Sequence, residues 1–138
     1  MFLVVDINVV LSSLLSKGNS FDGFAINSIL NKFEFAAPEF LLIELEKHKE
    51  EIFNRSRLTR EIFDSTLEFV LGQINFIPKE EFSEYMPKAE KLSSTHLKDV
   101  QYVALSLKLN CSIFSGDKSL KKLAGVEVLN PKELLSRF

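Results

Sequence analysis

The sequence carries no tryptophan and a single cysteine in 138 residues. Cys111 alone cannot close an internal disulfide, and its apolar surroundings point to a buried, inert thiol suited to a reducing cytosol. Thirteen phenylalanines without one tryptophan suit core packing better than a base-stacking surface. No apolar run approaches the roughly 18–20 residues that span a bilayer, so no membrane segment is expected. The N-terminal apolar run has no basic stretch before it and no small-residue cleavage site after it, which marks a strand and not a signal peptide. Repeats, low-complexity tracts and linkers are also missing, so residues 1–138 are expected to form one domain with its own core.

An excess of basic charge is lacking too. The formal net charge is −2, where a nucleic-acid partner usually wants a basic face. Yet if four of the 19 acids are gathered in one site, the remaining 15 face 17 basic residues. Net charge therefore decides nothing about such a partner.

What is present starts at residue 1. Met1-Phe2-Leu3-Val4-Val5 runs as a short apolar strand into Asp6, with Asn8 two positions on. A Val- and Leu-rich run of this length reads as a buried strand of a parallel sheet. Ligands and catalytic groups of such sheets collect at the carboxyl ends of the strands, where Asp6 stands.

Helical and strand patterns then alternate. Leu11–Leu15 reads as a short helical turn stopped near Lys17-Gly18-Asn19, and Ile26, Ile29, Leu30 and Phe33 mark a helix over 20–32. Phe33–Ala37 is a second strand, with Pro38 suited to the first turn of a helix that runs through Phe40, Leu41, Ile43 and Leu45 to about Phe53. A helix from Thr59 has the apolar stripe Phe63, Leu67, Val70 and Ile74. Asn75–Ile77 is a brief strand before Pro78, and residues 80–93 are helical in pattern, with Pro87 expected to kink or break them. A strong helix over about 98–109, a strand at Cys111–Phe114, a helix from Asp117 ending before Gly125 and a strand at Val126–Leu129 follow. Asn130 and Glu133 have capping-box spacing around Pro131, opening a last helix. Short strands alternating with helices argue for an α/β sandwich around a mostly parallel sheet.

Three further acids stand out by context. Glu44 interrupts the apolar run Phe40-Leu41-Leu42-Ile43-Glu44-Leu45, Asp99 stands at the start of an apolar helix, and Asp117 follows the strand Ser112-Ile113-Phe114. Taken singly, Asp117 caps its helix, Asp99 answers a helix dipole and Glu44 is a solvated edge residue. As a set, several carboxylates meeting at one strand-end cleft repel one another unless a cation neutralises them. All-oxygen sites of this kind select hard divalent ions such as Mg²⁺ or Mn²⁺.

With these pieces in order, the chain resembles a PIN domain, a metal-dependent ribonuclease fold. The matching residues are Val4-Val5-Asp6-Ile7-Asn8, Glu44 in the helix after the second strand, Lys98-Asp99 leading into Val103-Ala104-Leu105, and Ser115-Gly116-Asp117-Lys118-Ser119-Leu120. The resemblance spans nearly the whole chain. It implies a three-layer α/β/α sandwich with a central parallel sheet of about five strands. It also implies a catalytic and metal site of Asp6, Glu44, Asp99 and Asp117 holding one or two Mg²⁺ or Mn²⁺, with Asn8 and Ser115 in support. Ile7 departs from the family, whose members often carry Thr there. Many small members are VapC-type toxins, held inactive by an antitoxin and commonly homodimeric.

The expected activity is endonucleolytic hydrolysis of RNA phosphodiesters in the cytoplasm, possible partners being an antitoxin and a second copy of the chain. Lys118, Lys121 and Lys122 after Asp117, and Arg55, Arg57 and Arg60 between two helices, are candidate contacts to RNA phosphates, although a basic run is commonly just a solvated face. His48, one helical turn after Glu44, and His96, shortly before Asp99, are more often ordinary polar residues than site members. No Ser-His-Asp or Cys-His arrangement competes, because Cys111 lies in an apolar strand and neither histidine is near a nucleophile in sequence. A non-catalytic relative that binds RNA or protein is the alternative, although such a protein would be expected to have lost an acid and none is missing here. A phospho-acceptor or phosphatase domain ranks third, because Asn8 occupies the place of its second acid.

Overall fold

A computed structural model describes residues 1–16, 18–93, 96–123 and 125–138. Its centre is a five-stranded sheet of β1 (Phe2–Val5), β2 (Glu34–Pro38), β3 (Ile74–Ile77), β4 (Ile113–Phe114) and β5 (Val128–Leu129). The strand order is β3-β2-β1-β4-β5 and every pairing is parallel. Leu3, Val4 and Val5 are sealed from solvent, as expected for a central strand covered on both faces.

The helices among the described residues are α1 (Ile7–Leu15), α2 (Asn19–Leu30), α3 (Phe40–Ser56), α4 (Arg60–Leu71), α5 (Met86–Leu92), α6 (Val100–Leu109), α7 (Lys118–Lys121) and α8 (Pro131–Leu135). Helix α1 packs on α2, α3 and α4, and α2 on α8, while α6 lies on β1 and β2 and carries α5. The result is the expected three-layer α/β/α sandwich. None of these helices is long and apolar enough to cross a membrane.

The phenylalanines do core work. Phe24, Phe35 and Phe114 meet with ring centroids 5.2–6.2 Å apart, joining α2 to two strands. Gly23 suits this closeness: a Cβ there would stand 3.2 Å from Leu134 and 3.3 Å from Phe114, so a side chain would push these neighbours back by a few tenths of an ångström. The buried Asn27 mimics a strand neighbour, its amide exchanging two 2.9 Å hydrogen bonds with the backbone of Phe33. That contact seats the turn into β2.

Several local expectations are corrected. Pro38 ends β2, pairing with Ile77, and does not open α3. Ile74 belongs to β3 and not to the stripe of α4, since Gly72 closes that helix. Residues 80–93 do not form one helix: 3₁₀ turns occupy Lys79–Glu81 and Ser83–Tyr85, and α5 begins only at Met86 with Pro87 in its first turn, where a missing N–H costs nothing, so the break expected at Pro87 falls just ahead of it. Helix α1 starts at Ile7 and not Leu11, and its expected stop at Lys17 lies outside the described residues. Helix α7 is a single turn ending at Lys121, and Cys111 is only half-buried, ahead of β4 and not in it. Asn130 and Glu133 do make the reciprocal capping box.

Candidate functional site

Chain direction across the sheet reverses at β1: β2 and β3 extend to one side, β4 and β5 to the other. Open α/β sheets bind ligands at the carboxyl ends of the strands where this reversal occurs. Asp6 leaves β1 at this point and Ser115-Gly116-Asp117 leaves β4 beside it. The backbone joins them, as the Asp6 N–H donates to the Phe114 carbonyl at 3.0 Å.

Side chains stitch the same junction. The Ser115 hydroxyl donates to Asp6 Oδ2 at 2.6 Å and accepts the Asp117 N–H at 3.0 Å. Asn8 Oδ1 accepts the Gly116 N–H at 3.0 Å. Asp117 caps α7, its Oδ1 accepting from the N–H groups of Ser119 and Leu120 at 2.8 and 3.4 Å. The capping reading of Asp117 holds and engages Oδ1 alone, while the residue also lines the cleft beside Asp99.

The opposite wall comes from helices. Glu44 stands half-buried on α3, and its Oε1 accepts a 2.5 Å hydrogen bond from the Tyr102 hydroxyl on α6. Asp99 is buried at the last residue of a 3₁₀ turn (Leu97–Asp99) leading into α6, and its side chain caps nothing. The cleft beside Asp99 and Asp117 is lined also by His96, Leu97 and Lys98. Lys98, next to Asp99 in the sequence, thereby joins the basic residues near the acids. His48, by contrast, is exposed on α3.

Electrostatics show that the four carboxylates sense one another. Burial pushes the Asp6 carboxyl up to about 7; the Ser115 hydrogen bond opposes this, and the charges of Asp99, Glu44 and Asp117 add to it. Asp99 is also raised, first by burial and next by Asp117, with Glu44 contributing and His96 and Lys98 opposing. Such shifts concentrate at functional sites. Burial and the Glu44 carboxylate push Tyr102 far above the usual phenol range, so its proton stays in place and it acts as the donor.

Metal fit follows from which oxygens are engaged. Asp6, Glu44 and Asp117 are each anchored through one oxygen. Their second oxygens, and both of Asp99, have no hydrogen-bond donor among the described residues. A set of hard anionic oxygens, oriented but unpaired, suits Mg²⁺ or Mn²⁺. Among the described residues no three Asp, Glu, His or Cys side chains already stand close enough together to hold an ion.

The basic candidates divide. Lys118 and Lys122 are exposed beside Asp117. Lys121 is engaged by the Glu133 carboxylate and donates to the Val128 carbonyl at 2.9 Å. Arg60 is held by Glu50 through two hydrogen bonds of 2.8 and 3.0 Å and covers the Phe53 ring, and Arg55 lies 4.0 Å from Glu51. Arg55 is eleven residues beyond Glu44 on α3, about 16 Å along the axis, and Arg57 follows the helix in a left-handed conformation. Of the basic residues, Lys98 lines the cleft with Asp99 and Asp117, whereas Arg55 and Arg60 face acids of α3.

Tyr102 is the residue that sequence reasoning missed. Its signal was available: a tyrosine inside an apolar helix face must find a partner for its hydroxyl, and the chain has only two tyrosines.

Comparison with known proteins agrees with this geometry. A family model described as "PIN domain" matches residues 4–137. Curated protein sequences give no match. Among solved structures, VapBC2 from Rickettsia felis, bound to a DNA fragment from its promoter, superposes with a TM-score of 0.70 at 12% identity, over 94% of this chain and 98% of that one. That likeness shows a shared fold, and the family model covers nearly every residue: the chain belongs to the PIN domain family.

Proposed function

We propose that the protein is a Mg²⁺- or Mn²⁺-dependent endoribonuclease that hydrolyses RNA phosphodiester bonds. The observation that carries this reading is the gathering of Asp6, Glu44, Asp99 and Asp117 at the sheet's switch point with oxygens left unpaired. Membership of the PIN family supports it.

Asp6 and Asp99 are the residues proposed to ligate the cation directly. Asp117 and Glu44 complete the set, directly or through water, or accept the proton of the attacking water. The chemistry a bound cation supplies is activation of water and relief of the charge that builds on phosphate and leaving oxygen. Ser115 orients Asp6, Asn8 holds the Gly116 turn against it, and both thereby keep the strand-end wall in register. Lys98, Lys118 and Lys122 offer positive charge to the flanking phosphates. Water exclusion is slight in so open a cleft, which suits a polymer substrate that itself covers the site.

Cleavage of RNA by wild type and Asp99→Asn, each with and without Mn²⁺, tests the reading. Mn²⁺-dependent cleavage by wild type alone is expected, and equal cleavage by both proteins would sink it. A non-catalytic module is the second reading, favoured by the spacing of the acids noted above; absence of Mn²⁺ binding at millimolar concentration in calorimetry would select it. By extension from the VapBC2 relative, the chain is proposed to act in the cytoplasm as the toxin of a toxin–antitoxin pair. A homodimer is part of that proposal; Ile62 and Phe69 on α4 expose apolar surface that a second copy could cover. A pure monomer in light scattering would remove the dimer.

A further inference from the structure

We propose that Tyr102 is the positioning residue for Glu44, fixing that carboxylate so that its free oxygen faces the cation; this rests on the metal-dependent reading above. Three features place it there. Asp99 and Tyr102 are three residues apart on the approach to α6 and so share a face. Phe40 and Glu44 are four apart on α3 and share another. The faces meet: the Phe40 and Tyr102 rings pack with centroids 6.5 Å apart, and the hydroxyl reaches Glu44 Oε1 at 2.5 Å. That length is in the range of a charge-assisted O–H···O⁻ bond.

The phenol is fully buried, so neither water nor a change of rotamer can replace it. One hydroxyl thereby connects the helix that presents Glu44 with the helix that follows Asp99. An unheld glutamate has three rotatable bonds and would sample solvent. With Oε1 taken by tyrosine, Oε2 alone is left for a ligand, in a fixed direction. Residues that hold metal ligands in this way typically contribute 10–100-fold to affinity or activity.

Calorimetric titration with Mn²⁺ alone, on wild type, Tyr102→Phe, Glu44→Gln and the double variant, tests the assignment. Thermal melts of the same four proteins verify that each is folded. Tyr102→Phe, which keeps the ring packing, is expected to weaken Mn²⁺ binding by about 10-fold. The double variant is expected to bind no more weakly than Glu44→Gln, because the tyrosine acts only through that carboxylate. Wild-type affinity in Tyr102→Phe overturns the positioning role while leaving the metal site intact. Equal weakening by Tyr102→Phe with and without Glu44 also overturns it, as that marks a general structural effect. If wild type binds no Mn²⁺, this role and the nuclease reading fail together.

Discussion

The two walls of the carboxylate cleft are built differently. The strand-end wall holds Asp6 and Asp117 through backbone N–H groups and one short serine side chain, across strands already locked in register. The helical wall holds Glu44 through a single bond between two long side chains and leaves the carboxylate of Asp99 without a donor among the described residues. The first wall is fixed when the sheet forms. The second depends on how α3 and α6 pack. A site made this way joins acids anchored by backbone groups to acids placed by side-chain packing.

The largest expected effect breaks the helical wall. Asp99→Asn should lower Mn²⁺-dependent RNA cleavage by more than the ~10–100-fold typical of losing a supporting residue. The same variant should leave the metal-free protein at least as stable as wild type, since it removes a buried charge that Asp117 and Glu44 repel. A denaturation curve that shows marked destabilisation would mean that Asp99 has a structural partner instead.

Stability separates the walls next. Ser115→Ala takes from Asp6 its one hydrogen-bond donor and should cost about 1–3 kcal/mol in urea denaturation. Tyr102→Phe removes one bond to a half-buried acceptor and should cost about 1 kcal/mol. Mn²⁺ affinity at Glu44 should be hit hardest by the tyrosine change. Equal destabilisation by the two would erase the contrast.

The pH response sharpens it further. Asp6 titrates near 7 in the folded protein against 3.8 when unperturbed. Between those values the folded state holds the proton more tightly than the unfolded chain, so the contribution of Asp6 to metal-free stability should be greatest below about pH 4, fall as pH rises to about 7 and level off above. Mn²⁺ competes with that proton, so its affinity should rise over the same window. Asp6→Asn should flatten the part of the stability slope that belongs to this group. A stability that climbs from pH 4 to 7 in Ser115→Ala and wild type alike would contradict the burial of Asp6.

The smallest effect concerns the basic residues. Lys118→Ala or Lys122→Ala should reduce the salt dependence of RNA binding by about 0.7 in log–log slope for each phosphate that is no longer neutralised. Arg60→Ala should leave that slope unchanged, because Glu50 and Phe53 already occupy the guanidinium.

Much of this was legible before the fold. Asp6 and Asp117 could be located because an apolar run that stops at a carboxylate marks a strand end, and Glu44 because it interrupts an apolar helix face. Pro38 misled because proline fits both the last residue of a strand and the first turn of a helix, and its neighbours in space decide between them. Ile74 continued the stripe of α4 in sequence, but pairing with Phe35 drew it into β3.

The sequence by itself determined the alternation of strands and helices, the family and the identity of the four acids, because periodicity and strand-end chemistry are local properties. Only the tertiary structure decided which oxygens of Asp6, Glu44 and Asp117 are occupied, that Tyr102 reaches across to Glu44, and that Lys98 lines the cleft with Asp99 and Asp117. Those outcomes depend on contacts between residues as far apart as 6 and 115 or 44 and 102, and such contacts exist only once the sheet order and helix packing are set.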